Sequence, residues 1–127
     1  MEKVLLGNQA TGFLCHEAVG HMAEGDIIAT GTAFYEKLGC KIFDNRVSIV
    51  DSGNIPNGAG NIVFDDEGTY ATENYIVRNG ELVSYLTNKE IAKRYGIKNT
   101  GNSRSSSWSQ PSYVRMTNTY MLKGDKN

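Results

Sequence analysis

The chain has no run of apolar residues approaching the roughly 20 that a helix needs to cross a bilayer, and Met1-Glu2-Lys3-Val4-Leu5-Leu6-Gly7 lacks the long apolar stretch of a secretion signal. No membrane role is expected, and a cytoplasmic location is. Cysteine is scarce: Cys15 and Cys40 are too few for a disulfide framework, and neither belongs to a Cys-x-x-Cys pair. Cys15 reads as a small buried packing residue, and Cys40 is left open. A surplus of positive charge is also missing, with 13 Lys and Arg against 14 Asp and Glu and a formal net charge of -1. Nucleic-acid binding draws its affinity from clustered cations, so no direct nucleic-acid contact is expected. The most basic stretch, Lys89 to Lys98, is interrupted by Glu90 and reads as the wet face of a short helix. At 127 residues the chain allows one modest core, hence a single domain or part of one over residues 1–127.

Glycine, by contrast, is plentiful, 14 residues with no fixed repeat, which points to strands joined by tight turns. A leading helix is expected from about Asn8 to Met22, with Ala10, Phe13, Leu14, Ala18 and Val19 near helical spacing and Gly20 and Gly25 marking its end. Short β-rich runs follow at Lys41 to Phe43, Val47 to Val50 and Ile62 to Phe64, with a turn-rich loop from Asp51 to Gly58. Asn79-Gly80 joins two β-prone runs within Tyr75 to Tyr85, and both residues tolerate the positive φ of a type I′ turn, so a hairpin is expected. Thr87-Asn88-Lys89-Glu90 has the form of a capping box and opens a short helix to Tyr95, closed by Gly96. The polar segment Asn99 to Ser107 reads as a mobile loop, and Val114 to Leu122 as a final strand. The fold class is α+β: a leading motif-bearing helix, antiparallel strands with a hairpin at Asn79-Gly80, and one further short helix.

Chemistry concentrates in His16-Glu17-Ala18-Val19-Gly20-His21. Zinc takes imidazole ligands at fixed geometry, and a hydrolytic zinc needs a nearby carboxylate to accept a proton. The familiar zincin motif is His-Glu-x-x-His, with the imidazole-bearing positions at i and i+4; here they are at i and i+5. In a regular helix five residues rotate the second side chain by about 140°, which would turn the rings apart. An i→i+5 turn, the π-bulge, absorbs the extra residue, and Gly20 is a plausible place for it because it lacks a Cβ. Taken alone, the motif is equally consistent with two ordinary polar histidines on an exposed helix. Asp65, Asp66 and Glu67 read as a turn or strand end, since no EF-hand spacing accompanies them.

Extended through Leu14-Cys15 on one side and Glu24-Gly25-Asp26 on the other, these residues resemble the motif of the TldD/PmbA family of zinc-dependent peptidases. Asp65-Asp66-Glu67-Gly68-Thr69, Thr100-Gly101-Asn102 with Arg104, and Arg115-Met116-Thr117-Asn118-Thr119-Tyr120 match in the same order. The resemblance covers nearly the whole chain, and the histidines make it similar to TldD rather than to PmbA, also called TldE, which lacks them.

The resemblance implies zinc ligation by His16 and His21, with Glu17 as general base in peptide-bond hydrolysis. It implies unfolded or extended peptides as substrates, and Val114 to Leu122 would pair with substrate backbone or serve as a core strand. Family members are several times longer, and the chain resembles the start of the TldD-like C-terminal catalytic domain. Their third zinc ligand is a cysteine in the continuation, matched by neither Cys15 nor Cys40. The isolated chain is therefore expected to bind zinc loosely and to be weak or inactive as a peptidase. Exposed strand edges are expected to be covered by self-association or by a PmbA-like partner subunit. The competing expectation is a non-catalytic module that binds such a partner or modulates DNA gyrase through protein contacts.

Overall fold

The Asn79-Gly80 pair turns the chain as its residue types require. In the computed structural model of the protein, which describes residues 3–28 and 30–124, the two residues take φ values of 49° and 82°, the positive pair of a type I′ turn. The described strands are β1 (Ile49–Ser52), β2 (Glu73–Arg78), β3 (Glu81–Leu82), β4 (Ser103–Arg104), β5 (Tyr113–Val114) and β6 (Thr119–Met121). The hairpin β2-β3 extends into a four-stranded antiparallel sheet ordered β3-β2-β1-β6, while β4 and β5 form a separate antiparallel pair. With helices at its start and after the hairpin, the chain is α+β, as expected.

The leading helix is continuous but has three segments of two kinds: α1 (Asn8–Cys15), a π-helical turn (His16–Gly20) and α2 (His21–Ala23). It stops where Glu24 turns to extended backbone (ψ 111°), and α3 (Gly25–Ile28) follows. Gly20 is therefore inside the helix rather than at its end. The last turn is held by its neighbour: Leu86 N donates to Ala23 O and Gly25 N donates to Leu86 O, both at 2.9 Å. The π-turn and α2 bury Val19 and Ala23, which join Ile28, Ile49, Ile76, Leu82, Leu86 and Ile91 in the core. The apolar positions of α1 behave differently, since Cys15 is buried whereas Phe13 and Leu14 are exposed.

The second helix, α4 (Lys89–Tyr95), begins one residue later than the capping box suggested. Its cap is Asn88, whose Oδ1 accepts from Ile91 N, and Gly96 closes it in the left-handed region (φ 64°). Thr87 is withdrawn from capping because its hydroxyl donates to Lys98 O (2.9 Å) and its N–H to Thr100 Oγ1 (2.6 Å).

Three further expectations need correction. Lys41 to Phe43 and Ile62 to Phe64 contribute isolated bridges rather than strands. Lys41 bridges Glu81 on the outer edge of β3, and Ile42 N and Phe43 N both donate to Gly80 O, so the run ends at the hairpin turn after a single bridge. Asn99 to Ser107 is not a loose loop: Thr100, Asn102 and Ser103 are buried, and Ser103 N donates to the buried Asp65 (3.0 Å). Val114 to Leu122 is not one strand. Asp51 accepts from Thr117 N (3.0 Å) and Thr119 Oγ1 (2.7 Å), drawing this run out of β5 and across to β6. The turn reading of Asp65-Asp66-Glu67 agrees with the structure, where Asp65 Oδ1 accepts from Glu67 N and Thr69 N.

Candidate metal centre on the leading helix

The π-turn decides where the motif side chains point. Its extra residue per turn brings His16 and His21 onto one face, with ring centroids 4.9 Å apart and planes at 85°. Glu17 lies beside them, and donor atoms of His16, Glu17 and His21 fall within 4.8 Å of one another. Among the described residues no other trio of His, Cys, Asp and Glu converges in this way. Cys15 is buried and absent from the cluster, and burial pushes its thiol pKa up; Cys40 is exposed elsewhere.

Gly20 matters for space rather than for backbone freedom. Its φ and ψ of -59° and -55° are ordinary right-handed helix. A Cβ built there would sit 1.8 Å from Met116 Sδ. Met116 is itself 5% exposed and part of the core, so the distorted turn rests directly on the segment between β5 and β6.

The two nitrogens of His21 face different carboxylates. Nε2 is 4.0 Å from Glu17 Oε2, and Nδ1 is 3.5 Å from Glu24 Oε2. The Glu24 side chain is 4% exposed, whereas those of Glu17 and His21 are 49% and 45% exposed. Glu24 also takes Met116 N on Oε1 (3.4 Å) and lies 3.6 Å from Arg115 Nη1. Burial pushes the Glu24 carboxyl pKa up, while His21 and Arg115 pull it back part of the way. Carboxylates behind a ligating imidazole commonly fix its tautomer and orientation. The arrangement leaves Nε2 of His21, not Nδ1, directed at the cluster.

Glu24 and Arg115 are the residues that sequence reasoning did not single out individually. Glu24 had a local signal, since position i+3 from His21 shares its helical face. Arg115 had none, because 91 residues separate it from Glu24 along the chain.

An α+β unit that presents two imidazoles and a carboxylate on one distorted helical turn has the donor set of a helix-borne metal site. The chain matches the family model for the PmbA/TldA metallopeptidase C-terminal domain over residues 2–127, and it belongs to that family. It is 43% identical over 122 residues to the metalloprotease TldD homolog of Buchnera aphidicola from Acyrthosiphon pisum, covering 95% of this chain and 25% of the relative. It is 34% identical over 123 residues to the zinc metalloprotease TldD homolog of Saccharolobus solfataricus, covering 96% and 28%. The fold is similar to the crystal structure of a Thermotoga maritima protein proposed as a modulator of a DNA gyrase, with a TM-score of 0.77, 28% identity, and coverage of 92% of this chain and 26% of that one. It also shares the fold of TldE from Thermococcus kodakarensis, with a TM-score of 0.71, 22% identity, and coverage of 86% and 25%. The chain thus spans about a quarter of the length of the curated relatives it matches. No helix among the described residues is long and apolar enough to cross a membrane.

Proposed function

We propose that residues 1–127 are part of the catalytic domain of a zinc-dependent metallopeptidase that hydrolyses peptide bonds in unfolded or extended peptides. In this reading His16 and His21 are metal ligands and Glu17 is the general base. The observation that carries it is the π-turn, which gathers donors that a regular helix would turn apart. The donor chemistry fits zinc: two imidazoles with a carboxylate beside them, and a buried carboxylate behind His21 that favours Nε2 as the free ligand atom. Two imidazoles leave coordination positions open, and the family resemblance supplies a cysteine for one of them. The isolated chain is accordingly a weak zinc binder and a slow or inactive peptidase.

Zinc held at these histidines would supply Lewis acidity, polarising a peptide carbonyl and bringing the pKa of water down to about 7. Glu17 contributes through position. Its Oε2 lies 4.0 Å from His21 Nε2, so the carboxylate stands beside the nitrogen that would hold the metal. Its half-exposed side chain is free to accept that proton and to return it to the departing amine. Glu24 and Arg115 act as positioning residues, holding His21 from behind.

The same reading includes a partner, either a PmbA-like subunit or a second copy of the chain. The fold shared with TldE supports the former, and the exposed Phe13 and Leu14 on α1 are apolar surface that such a partner could cover.

The test is a calorimetric titration of zinc into the metal-free chain. One equivalent should bind, at least about tenfold more weakly in His16→Ala or His21→Ala and about equally in Glu17→Gln. Any slow cleavage of an unstructured peptide should disappear in Glu17→Gln. Equal zinc affinity in wild type and His21→Ala would overturn the reading.

A further inference from the structure

The β4-β5 pair builds a second polar site next to the motif. Arg104 stands directly across from Tyr113 in the ladder, so their side chains share one face of the pair. Arg115 N donates to Asn102 O (2.8 Å), which continues the ladder and brings Arg115, two residues beyond Tyr113, to that same face. The result is a cavity of about 320 Å³ lined by Arg104, Ser105, Ser106, Tyr113 and Arg115. Its lining contains two guanidinium groups and no carboxylate.

The two arginines are unequally engaged. Arg115 Nη1 donates to Val114 O (2.8 Å) and lies 3.6 Å from Glu24, and the Arg115 guanidinium carbon is 5.4 Å from the Tyr113 ring centroid. These contacts fix its orientation while leaving other N–H groups unassigned. Arg104 is exposed, and its guanidinium has no ion pair or hydrogen bond among the described residues. The acids nearest in the hydrogen-bond network are Glu24, which faces His21 and Arg115, Asp26, whose Oδ2 accepts from Val114 N (3.0 Å), and Asp66, whose Oδ2 accepts from Ser105 N (2.6 Å), and none of the three lines the pocket. The Ser105 hydroxyl is also spent, on the carbonyls of Ser107 and Gln110, so that residue shapes the wall. Two like charges on one face repel unless an anion lies between them, and a planar carboxylate suits a guanidinium fork.

We propose that the Arg104–Arg115 pocket is a subsite for a carboxylate of the peptide substrate, either its C-terminal carboxylate or an acidic side chain. This deepens the peptidase reading above and rests on it for the identity of the ligand. Arg115 links the two sites physically, since it lines the pocket and touches the carboxylate that backs His21. A peptide anchored there lies one side chain away from the residues holding the motif histidine.

The experiment is fluorescence anisotropy on the full chain in the presence of chelator, so that no turnover is involved. Three labelled peptides of Ala and Ser are compared: one with a free C-terminus, one amidated with a single internal Glu, and one amidated and neutral. At low salt one or both carboxylate peptides should bind about tenfold more tightly than the neutral peptide, and which one does so identifies the source of the carboxylate. Arg104→Gln should bring all three within about twofold, and Arg104→Lys, included in case Gln disturbs the fold, should keep a several-fold preference. Equal binding of the three peptides by wild type, or a full preference in Arg104→Gln, overturns the proposal. Zinc titration separates it from the peptidase reading. Zinc binding that depends on His21 without carboxylate preference sinks the subsite alone, and carboxylate preference with zinc binding indifferent to His21→Ala sinks the metal assignment.

Discussion

The motif face and the node around Asp51 are both polar, yet they are built in opposite ways. Asp51 is fully buried and accepts from Asn102 Nδ2, Thr117 N, Thr117 Oγ1 and Thr119 Oγ1 at 2.7 to 3.1 Å. His16, Glu17 and His21 are partly open to solvent, and the nearest carboxylate contact to His21 is 3.5 Å. A buried polar group must have its hydrogen bonds made, whereas a group that is to bind a ligand must keep some of its capacity free. The two regions are connected, because the run fixed by Asp51 also carries Arg115 and Met116, which meet Glu24 and Gly20. The satisfied node therefore holds the surface against which the unsatisfied one is shaped.

Removing the node should have the largest effect. Asp51→Ala strands several buried donors, each worth about 1 to 3 kcal/mol when left unpaired. A loss on the order of 3 kcal/mol or more is expected in urea melts, and a loss below about 1 kcal/mol would show that the node is not what anchors this run. Gly20→Val tests the join between the two regions. The added side chain meets Met116, so a cost of about 1 to 3 kcal/mol is expected. Met116→Ala should cost stability alone but recover part of the loss in the double variant, and strict additivity in the double-mutant cycle would contradict direct contact.

How much of this was legible in the sequence depended on whether the deciding contact was local. The hairpin was readable from Asn79-Gly80, since both residues carry their φ preference with them. The π-turn was readable from the five-residue spacing of the histidines, but the reason for Gly20 was not. Backbone freedom suggested it, and the close approach of Met116, distant in sequence, requires it. The polar run Asn99 to Ser107 looked loose because its partners, Thr87, Asp65 and Asp51, lie far away along the chain. Val114 to Leu122 looked like a single strand because β-propensity cannot see Asp51 drawing it to a second sheet. The family motifs carried the candidate residues His16, Glu17 and His21 but not the link from Arg115 through Glu24 to His21.

Two smaller effects sharpen the comparison. Glu24→Gln keeps the shape behind His21 but removes its charge, and a fall of about 10- to 100-fold in zinc affinity is expected by calorimetry. No change would reduce Glu24 to a packing role. The smallest effect concerns Tyr120 on β6, whose hydroxyl donates to Glu73 Oε2 (2.9 Å). Burial and this carboxylate push the phenol up to about 12, from an ordinary value of 10.0. The folded chain therefore keeps the proton where the unfolded chain loses it. Tyr120 should contribute no pH dependence below about pH 10, and its contribution should fall between pH 10 and 12 as the unfolded state ionises. Urea melts of wild type and Tyr120→Phe across that range should converge, and a constant difference would show that Tyr120 titrates alike in both states.

X-ray absorption of the zinc-loaded chain tests the central claim most directly. Two imidazole nitrogens at about 2.0 to 2.1 Å from the metal are expected, falling to one in His16→Ala and to one in His21→Ala. A spectrum without imidazole scattering, or one unaltered by both substitutions, would contradict the claim that the π-turn turns these histidines toward one ion.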